Sequence, residues 1–204
     1  MSVLQCPRCG ESHNVETFTS VNTAKDPDLK ARVKDGSLFV WECPHCGAKN
    51  LIKGELLYHD PEEKLMVWLL PEGARPPGAV EEAVKQLEGY TLRRVADAGS
   101  LIEKVNIHEA GLDDVTVEML KMVTRTEMSE KTPAVQDVPM KFFRLDGPDN
   151  DIILSFPLDG SLQAVTVGFN VYEDCRSILS RNPSIAPAPG FAVVDSAWIE
   201  SFFK

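Results

Sequence analysis

Cys6-Pro7-Arg8-Cys9-Gly10 and Cys43-Pro44-His45-Cys46-Gly47 are near copies of one another, and they use four of the chain's five cysteines. A Cys-x-x-Cys turn places two sulfurs on one side of a tight loop, close enough to share a metal ion. The glycine after the second cysteine permits a positive φ there, which aims backbone N–H groups at the thiolates. The two turns are separated by the 33 residues from Gly10 to Glu42. Together Cys6, Cys9, Cys43 and Cys46 are the four soft ligands of a closed tetrahedral zinc site, so the expected cofactor is one structural zinc ion (Zn2+) per chain. A closed site leaves no position for substrate. The motif therefore speaks to architecture more than to activity.

Other readings of these cysteines are open to the residues alone. Disulfides are one, but no charged-then-apolar signal segment opens the sequence, so a reducing cytoplasm is the expected compartment. A thioredoxin-like redox pair needs one Cys-x-x-Cys opening a helix. Here both copies end in glycine and run into polar residues, which suits turns. Iron on the same four sulfurs is a further option. His13 and His45 are possible substitute ligands, and His45, inside its own turn, is expected to face solvent.

The chain has 204 residues and 43% hydrophobic residues, ordinary for a globular protein, and no apolar run long enough to cross a bilayer. Its formal charge is −10, and zinc on four thiolates would take it to about −12. Such a field repels nucleic acid and anionic membranes over most of the surface. Residues 1 to 75 carry nine Lys and Arg against eleven Asp and Glu, so most of the negative charge lies beyond them. Arg8, Lys25, Lys30, Arg32, Lys34, Lys49 and Lys53 offer a possible phosphate-contacting patch, but Asp26, Asp28 and Asp35 interleave with them and favour a mixed, solvated loop.

Between the cysteine turns, Val15 to Val21 and Ser37 to Glu42 are rich in β-branched and aromatic residues and read as strands. The segment joining them, from Lys25-Asp26-Pro27-Asp28 to Asp35-Gly36, is polar with turn residues at both ends. Leu51 to Tyr58 and Lys64 to Leu70 flank His59-Asp60-Pro61-Glu62-Glu63 as a hairpin. A ribbon of about four antiparallel strands is expected, with the metal at one end. The run Pro71 to Gly78 can continue neither strand nor helix and marks a boundary. The expected organisation is a zinc-ribbon-like domain over 1–72, a linker over 73–78 and a mixed helical and β domain over 79–204.

Beyond the linker the periodicity is helical: Ala79 to Leu87, then Leu101, Ile102, Val105 and His108 up to a stop at Gly111, then a stripe of Val115, Met119, Met122 and Val123 opposite a polar face of Glu118, Lys121 and Arg125. From Val138 the pattern turns to strands, Met140 to Leu145, Ile152 to Phe156 and Leu162 to Val167, separated by turn residues. Helices over Val171 to Leu179 and Ser196 to Phe203 close the chain. The fold class is α+β, with an N-terminal antiparallel β domain, helices, and a mostly antiparallel C-terminal α/β region.

The cysteine turns, the strand Phe39-Val40-Trp41-Glu42 running into the second of them, and Tyr58-His59-Asp60 resemble the CpXC family, prokaryotic proteins with two Cys-Pro-x-Cys motifs. Leu92-Arg93 through Ile102-Glu103-Lys104, then Gly111-Leu112-Asp113-Asp114, is similar to that family's helical continuation, so the resemblance runs to about residue 125. It implies a metal-binding domain and carries the four cysteines as ligands; the family's function is uncharacterised, and it implies no activity.

Three further features are candidates for chemistry. Glu109, Asp113, Asp114 and Glu118 cluster about a helix start, where a divalent cation would find paired carboxylates, yet aspartates also cap helices and complement the dipole. His59-Asp60 could pair a base with its orienting carboxylate, but neighbours in a hairpin turn are better read as turn residues. Cys175, with Tyr172, Ile178 and Leu179 at helical spacing and Glu173-Asp174 just before it, reads as a buried core thiol. No convergent catalytic set is visible. The reading is a non-enzymatic protein-interaction or assembly module that needs a protein partner. The alternatives are an enzyme with a carboxylate site in the C-terminal half or between the domains, and a nucleic-acid-binding ribbon.

Overall fold

The computed structural model describes residues 1–203 except 72, 75–77, 79, 81–83, 85 and 86. The expected linker over 73–78 and the helix from Ala79 to Leu87 fall largely outside the described residues. The chain forms two compact units, Met1–Ile102 and Glu103–Lys204, and its class is α+β.

In the first unit each cysteine turn carries its own short hairpin. β1 (Ser2–Gln5) pairs antiparallel with β2 (Ser12–Val15), and β4 (Val40–Glu42) with β5 (Lys49–Leu51). The other strands form a separate mixed sheet in the order β3-β6-β7-β8. Here β6 (Leu56–Asp60) and β7 (Leu65–Leu69) are the expected hairpin, while β3 (Ser20–Asn22) and β8 (Thr91–Val95) flank it in parallel. One continuous ribbon is thus replaced by two cysteine-bearing hairpins and a sheet with its own core, in which Val21, Leu56, Tyr58, Leu65, Val67 and Leu92 are buried.

Several local expectations are corrected. Val15 to Val21 is not one strand, because β2 ends at Val15 and β3 begins at Ser20, and Ser37–Phe39 forms a 3-10 turn that buries Leu38 and Phe39 before β4 begins. Residues Pro27–Lys34 form a helix, α1, rather than a loop. Pro27 supplies the fixed φ that suits a first helical position, Asp28 and the basic pair Arg32 and Lys34 complement the dipole at either end, and Val33 is buried. Lys30, Arg32 and Lys34 are therefore helix residues. Likewise, the helical continuation expected from Leu92 begins as a strand. Thr91–Val95 lies beside β7, whose residues are buried on both faces, and pairing with it overrides local preference.

The second unit packs helices on one face of a three-stranded antiparallel sheet. α2 (Ala98–Glu109) crosses the boundary between the units; α3 (Asp114–Lys131), α4 (Phe169–Ser180) and α5 (Ser196–Glu200) belong wholly to the second. The sheet runs β11-β10-β9, from β9 (Lys141–Asp146), β10 (Asp151–Leu158) and β11 (Ser161–Val167), close to the strands read from sequence. Val117, Leu120, Phe142, Ile152, Leu154, Tyr172 and Ile199 share one core. Cys175 lies within it, and burial, helped by Asp174, pushes its thiol up to about 11, as befits a packing residue.

The joint between α2 and α3 follows from local chemistry. Gly111 takes φ 68°, its N–H reaches the His108 carbonyl and that of Leu112 reaches Ile107. That is a Schellman stop, with Leu112 and Ile107 both buried in the core. Asp113 then caps α3, accepting from the Thr116 backbone N–H at 2.8 Å and its hydroxyl at 2.6 Å. Asp113→Ala is expected to destabilise the chain by about 1 kcal/mol, within the usual 0.5–2 for a lost cap, and Asp113→Asn by much less. Urea unfolding monitored by circular dichroism measures both, and equal costs for the two variants would show that the cap does not matter.

Candidate metal centre

The two cysteine turns have the same backbone. In each, the glycine N–H donates to the carbonyl of the first cysteine (Gly10 to Cys6 at 2.9 Å, Gly47 to Cys43 at 2.8 Å). The first cysteine's own N–H closes the hairpin on Glu11 or Ala48. Both glycines have positive φ, 77° and 67°, which a side chain would strain. The strands β1–β2 and β4–β5 fix the base of each turn, and the two tips face each other.

All four sulfurs lie within 4.8 Å of one another. Cys6 Sγ to Cys46 Sγ and Cys9 Sγ to Cys43 Sγ are each 3.7 Å. A tetrahedron with metal–sulfur bonds of about 2.3 Å has edges of about 3.8 Å, so the cluster is the size of a four-thiolate site. A disulfide would need about 2.05 Å, and all five cysteines are free. Beneath the sulfurs, Cys6, Cys43 and Trp41 are buried and packed by Leu4, Val15, Ala48 and Ile52. This is a very small core.

The electrostatics of the thiols favour a cation. Burial opposes charge on Cys6, yet the Cys9 and Arg8 amides, with the neighbouring thiols, draw it down to about 6. At Cys9 the Glu11 amide pulls down, but burial and the sulfurs of Cys46, Cys6 and Cys43 push the thiol up to about 12. Cys46 also moves up, its Ala48 amide outweighed by burial and by Cys43 and Cys6. One thiolate is stabilised and the next is resisted, a crowding of charge that a divalent ion would relieve.

The neighbours of the sulfurs are polar but are not needed as ligands. His13 Nε2 is 3.5 Å from Cys43 Sγ, with its ring beside Trp41, and the Asn50 amide donates to Cys6 Sγ at 3.8 Å. Such contacts orient ligands from outside the coordination sphere. His45 is exposed, as expected.

The other sequence candidates go elsewhere. His59 and Asp60 are successive strand residues, so they project to opposite faces. Asp60 is buried against Lys30 at 2.7 Å and accepts from Tyr58 Oη and the Glu63 N–H. His59 instead meets Tyr90 and Asn22. They form no base–carboxylate pair.

The acidic cluster also separates. Asp113 is the α3 cap, so Asp114 is not. Asp114 is buried and salt-bridges Lys104 at 2.9 Å. Glu118 and Lys121, expected on a polar face, are 1% and 3% exposed. They belong to a zigzag of alternating charge: Asp114, Lys104, Glu118, Lys121, Glu103 and Lys141, in contacts of 2.8–3.5 Å. Glu103 also accepts the Phe142 N–H from β9, and Ser196 donates to Glu118. Among the described residues no buried side-chain nitrogen or oxygen lacks a partner, so these carboxylates are committed to lysines rather than presented to a cation. A cavity of about 820 Å³ beside α3 and α5 is lined by Arg125, Glu127 and Glu200 among others, and none of Asp113, Asp114 and Glu118 reaches it.

Glu103 and Lys104 escaped the sequence reading. A signal existed: α3 carries Val117 and Leu120 outside its apolar stripe, so its apolar surface is wider than a single core-facing stripe and leaves the charges only a narrow sector. Charges on such a helix must find opposite charges on a neighbouring element.

A family model described as CpXC protein matches residues 4–121, more than half of the chain. The match takes in the four cysteines and α3 as far as Lys121. No curated protein and no solved structure matches.

Proposed function

The chain belongs to the CpXC family, and from that premise we propose that it is a zinc protein whose role is to bind another protein rather than to catalyse. Cys6, Cys9, Cys43 and Cys46 hold one structural zinc ion, in a zinc-ribbon-like arrangement of two hairpins. The observation that carries this is the 3.7 Å sulfur spacing. Four thiolates saturate a tetrahedral ion and leave no open position for a substrate. Zinc is the ion that this donor set and Cys-x-x-Cys spacing suit. A reducing cytoplasm, the proposed location, keeps the thiols available; no helix among the described residues is long and apolar enough to cross a membrane.

A protein partner is favoured by what the hairpins display. Val40 and Leu51 sit opposite each other across β4–β5, 39% and 71% exposed, and Val3 on β1 is 70% exposed. The zinc then rigidifies strands whose outer faces carry apolar side chains, while a net charge of −10 disfavours nucleic acid.

The test is elemental analysis with X-ray absorption on chain purified under reducing conditions. One zinc per chain with four sulfurs at about 2.3 Å is expected. Two disulfides without metal, iron in place of zinc, or a nitrogen ligand from His13 would each sink the assignment. Affinity capture from native lysate, native chain against Val40→Lys/Leu51→Lys, then asks whether a protein partner depends on the hairpin surface.

A further inference from the structure

We infer that the chain forms a two-fold dimer through strand β11, a surface of the second unit that does not depend on the metal centre. β10 and β11 are joined by a two-residue turn, Asp159-Gly160, and pair without a break from Leu158↔Ser161 to Ile152↔Val167. Pro157 faces Leu162 and has no N–H, so that pair cannot exchange both backbone bonds. It is therefore a non-hydrogen-bonded pair. Alternation makes Ser155↔Ala164 and Ile153↔Thr166 non-hydrogen-bonded as well. The N–H and C=O groups of Leu162, Ala164 and Thr166 thus point away from β10, toward the outer edge of the sheet.

Among the described residues no strand pairs with that edge. β11 reads Ser-Leu-Gln-Ala-Val-Thr-Val over seven residues, with Leu162 75% exposed. It has no charge, no proline and no bulge, the devices by which exposed edges are protected from pairing. The other edges of the two larger sheets do have protection. β9 carries Lys141, Arg144 and Asp146 and a register shift, β8 carries Arg93 and Arg94, and β3 is three residues long.

The occupant that fits is a second copy. Antiparallel pairing about a two-fold on Ala164 sets Ala164 of one copy against Ala164 of the other, and Leu162 against Thr166 in both directions. Every outward-facing backbone group then has a partner, two bonds at each residue pair. In a chain of charge −10, self-contact is most easily tolerated where the surface has no charge to repel its image. β11 meets that condition, and so do its β10 neighbours on the same face, Ile153, Ser155 and Pro157. One strand from each copy is a small interface, so dissociation in the micromolar range is expected.

Sedimentation equilibrium of the full zinc-loaded chain, with the variants Ala164→Lys and Ala164→Glu, tests this. Like charges facing each other on the axis should weaken the dimer by roughly tenfold or more in each variant alone. Mixing the two variants should restore a dimer containing one of each. Far-UV circular dichroism and zinc content, unchanged by substitutions at an exposed position, separate this result from failure of the metal assignment. A native chain that stays monomeric into the submillimolar range, dimers unaffected by both variants, or open-ended growth beyond a dimer would each overturn the inference.

Discussion

On the proposed zinc assignment, Cys43→Ser should unfold the two cysteine hairpins while leaving the second unit folded. Cys43 is 1% exposed and belongs to a cluster whose buried members are only Cys6, Trp41 and itself. The hairpins it joins have strands of three or four residues, too short to be stable as isolated pairs. With the proposed zinc bound, their cohesion would rest on the ion, since structural zinc in small modules contributes on the order of 10 kcal/mol at neutral pH. Serine keeps the size but not the soft anionic ligand. Hydrogen exchange read by mass spectrometry is the measurement. Protection should disappear over Ser2–Val15 and Val40–Leu51 and persist over Glu103–Phe203, and a chelator acting on the native chain should give the same map. Unaltered protection of the hairpins in both experiments would show that they fold without metal.

The next largest effect is expected from Glu118→Ala. This carboxylate is 1% exposed and holds Lys104 at 3.2 Å and Lys121 at 2.8 Å. Its removal leaves two buried ammonium groups short of counter-charge. Breaking a buried pair from one side costs about 3–5 kcal/mol, a large share of the stability of an ordinary domain. Converting the Glu103–Lys121 pair to two methionines should cost less than the sum of the single changes, because each buried charge goes together with its partner; a cost remains, since Glu118 then keeps only Lys104 and the Phe142 N–H loses its acceptor. Urea denaturation of the four variants against the native chain measures this, and a Glu118→Ala cost below about 0.5 kcal/mol would mean that water reaches the network.

The same network sets a pH window. Burial opposes the charge on Glu103, but Lys121, Lys141 and Lys104 more than offset it and hold its carboxyl below the ordinary 4.5. A carboxyl lowered by folding contributes stability above its unfolded value, lost as pH falls through the folded one. Burial likewise opposes charge on Lys121, and Glu103 and Glu118 overcome it, raising the ammonium above 10.5. Its contribution is complete below that value and lost as pH rises through the folded one. The network's support should therefore hold between about pH 4.5 and 10.5 and fail on both sides.

What the amino-acid sequence determined by itself is what neighbouring residues settle among themselves. The four cysteines are legible because spacing within a turn brings each pair of sulfurs together, whatever surrounds it. The stop at Gly111, the start of α3 and the strands of the second unit are legible for the same reason, since φ preference, capping and alternation act over a few residues. Tertiary structure decided the rest. Thr91–Val95 became a strand because the buried β7 offered it an edge. Asp114, Glu118 and Lys121 have the spacing of an exposed polar face, and only the placing of Glu103 and Lys104 opposite them turned that face inward. A charge can be buried when its partner is already held at bonding distance, and that partner, on another helix, is brought there by the fold rather than by local sequence.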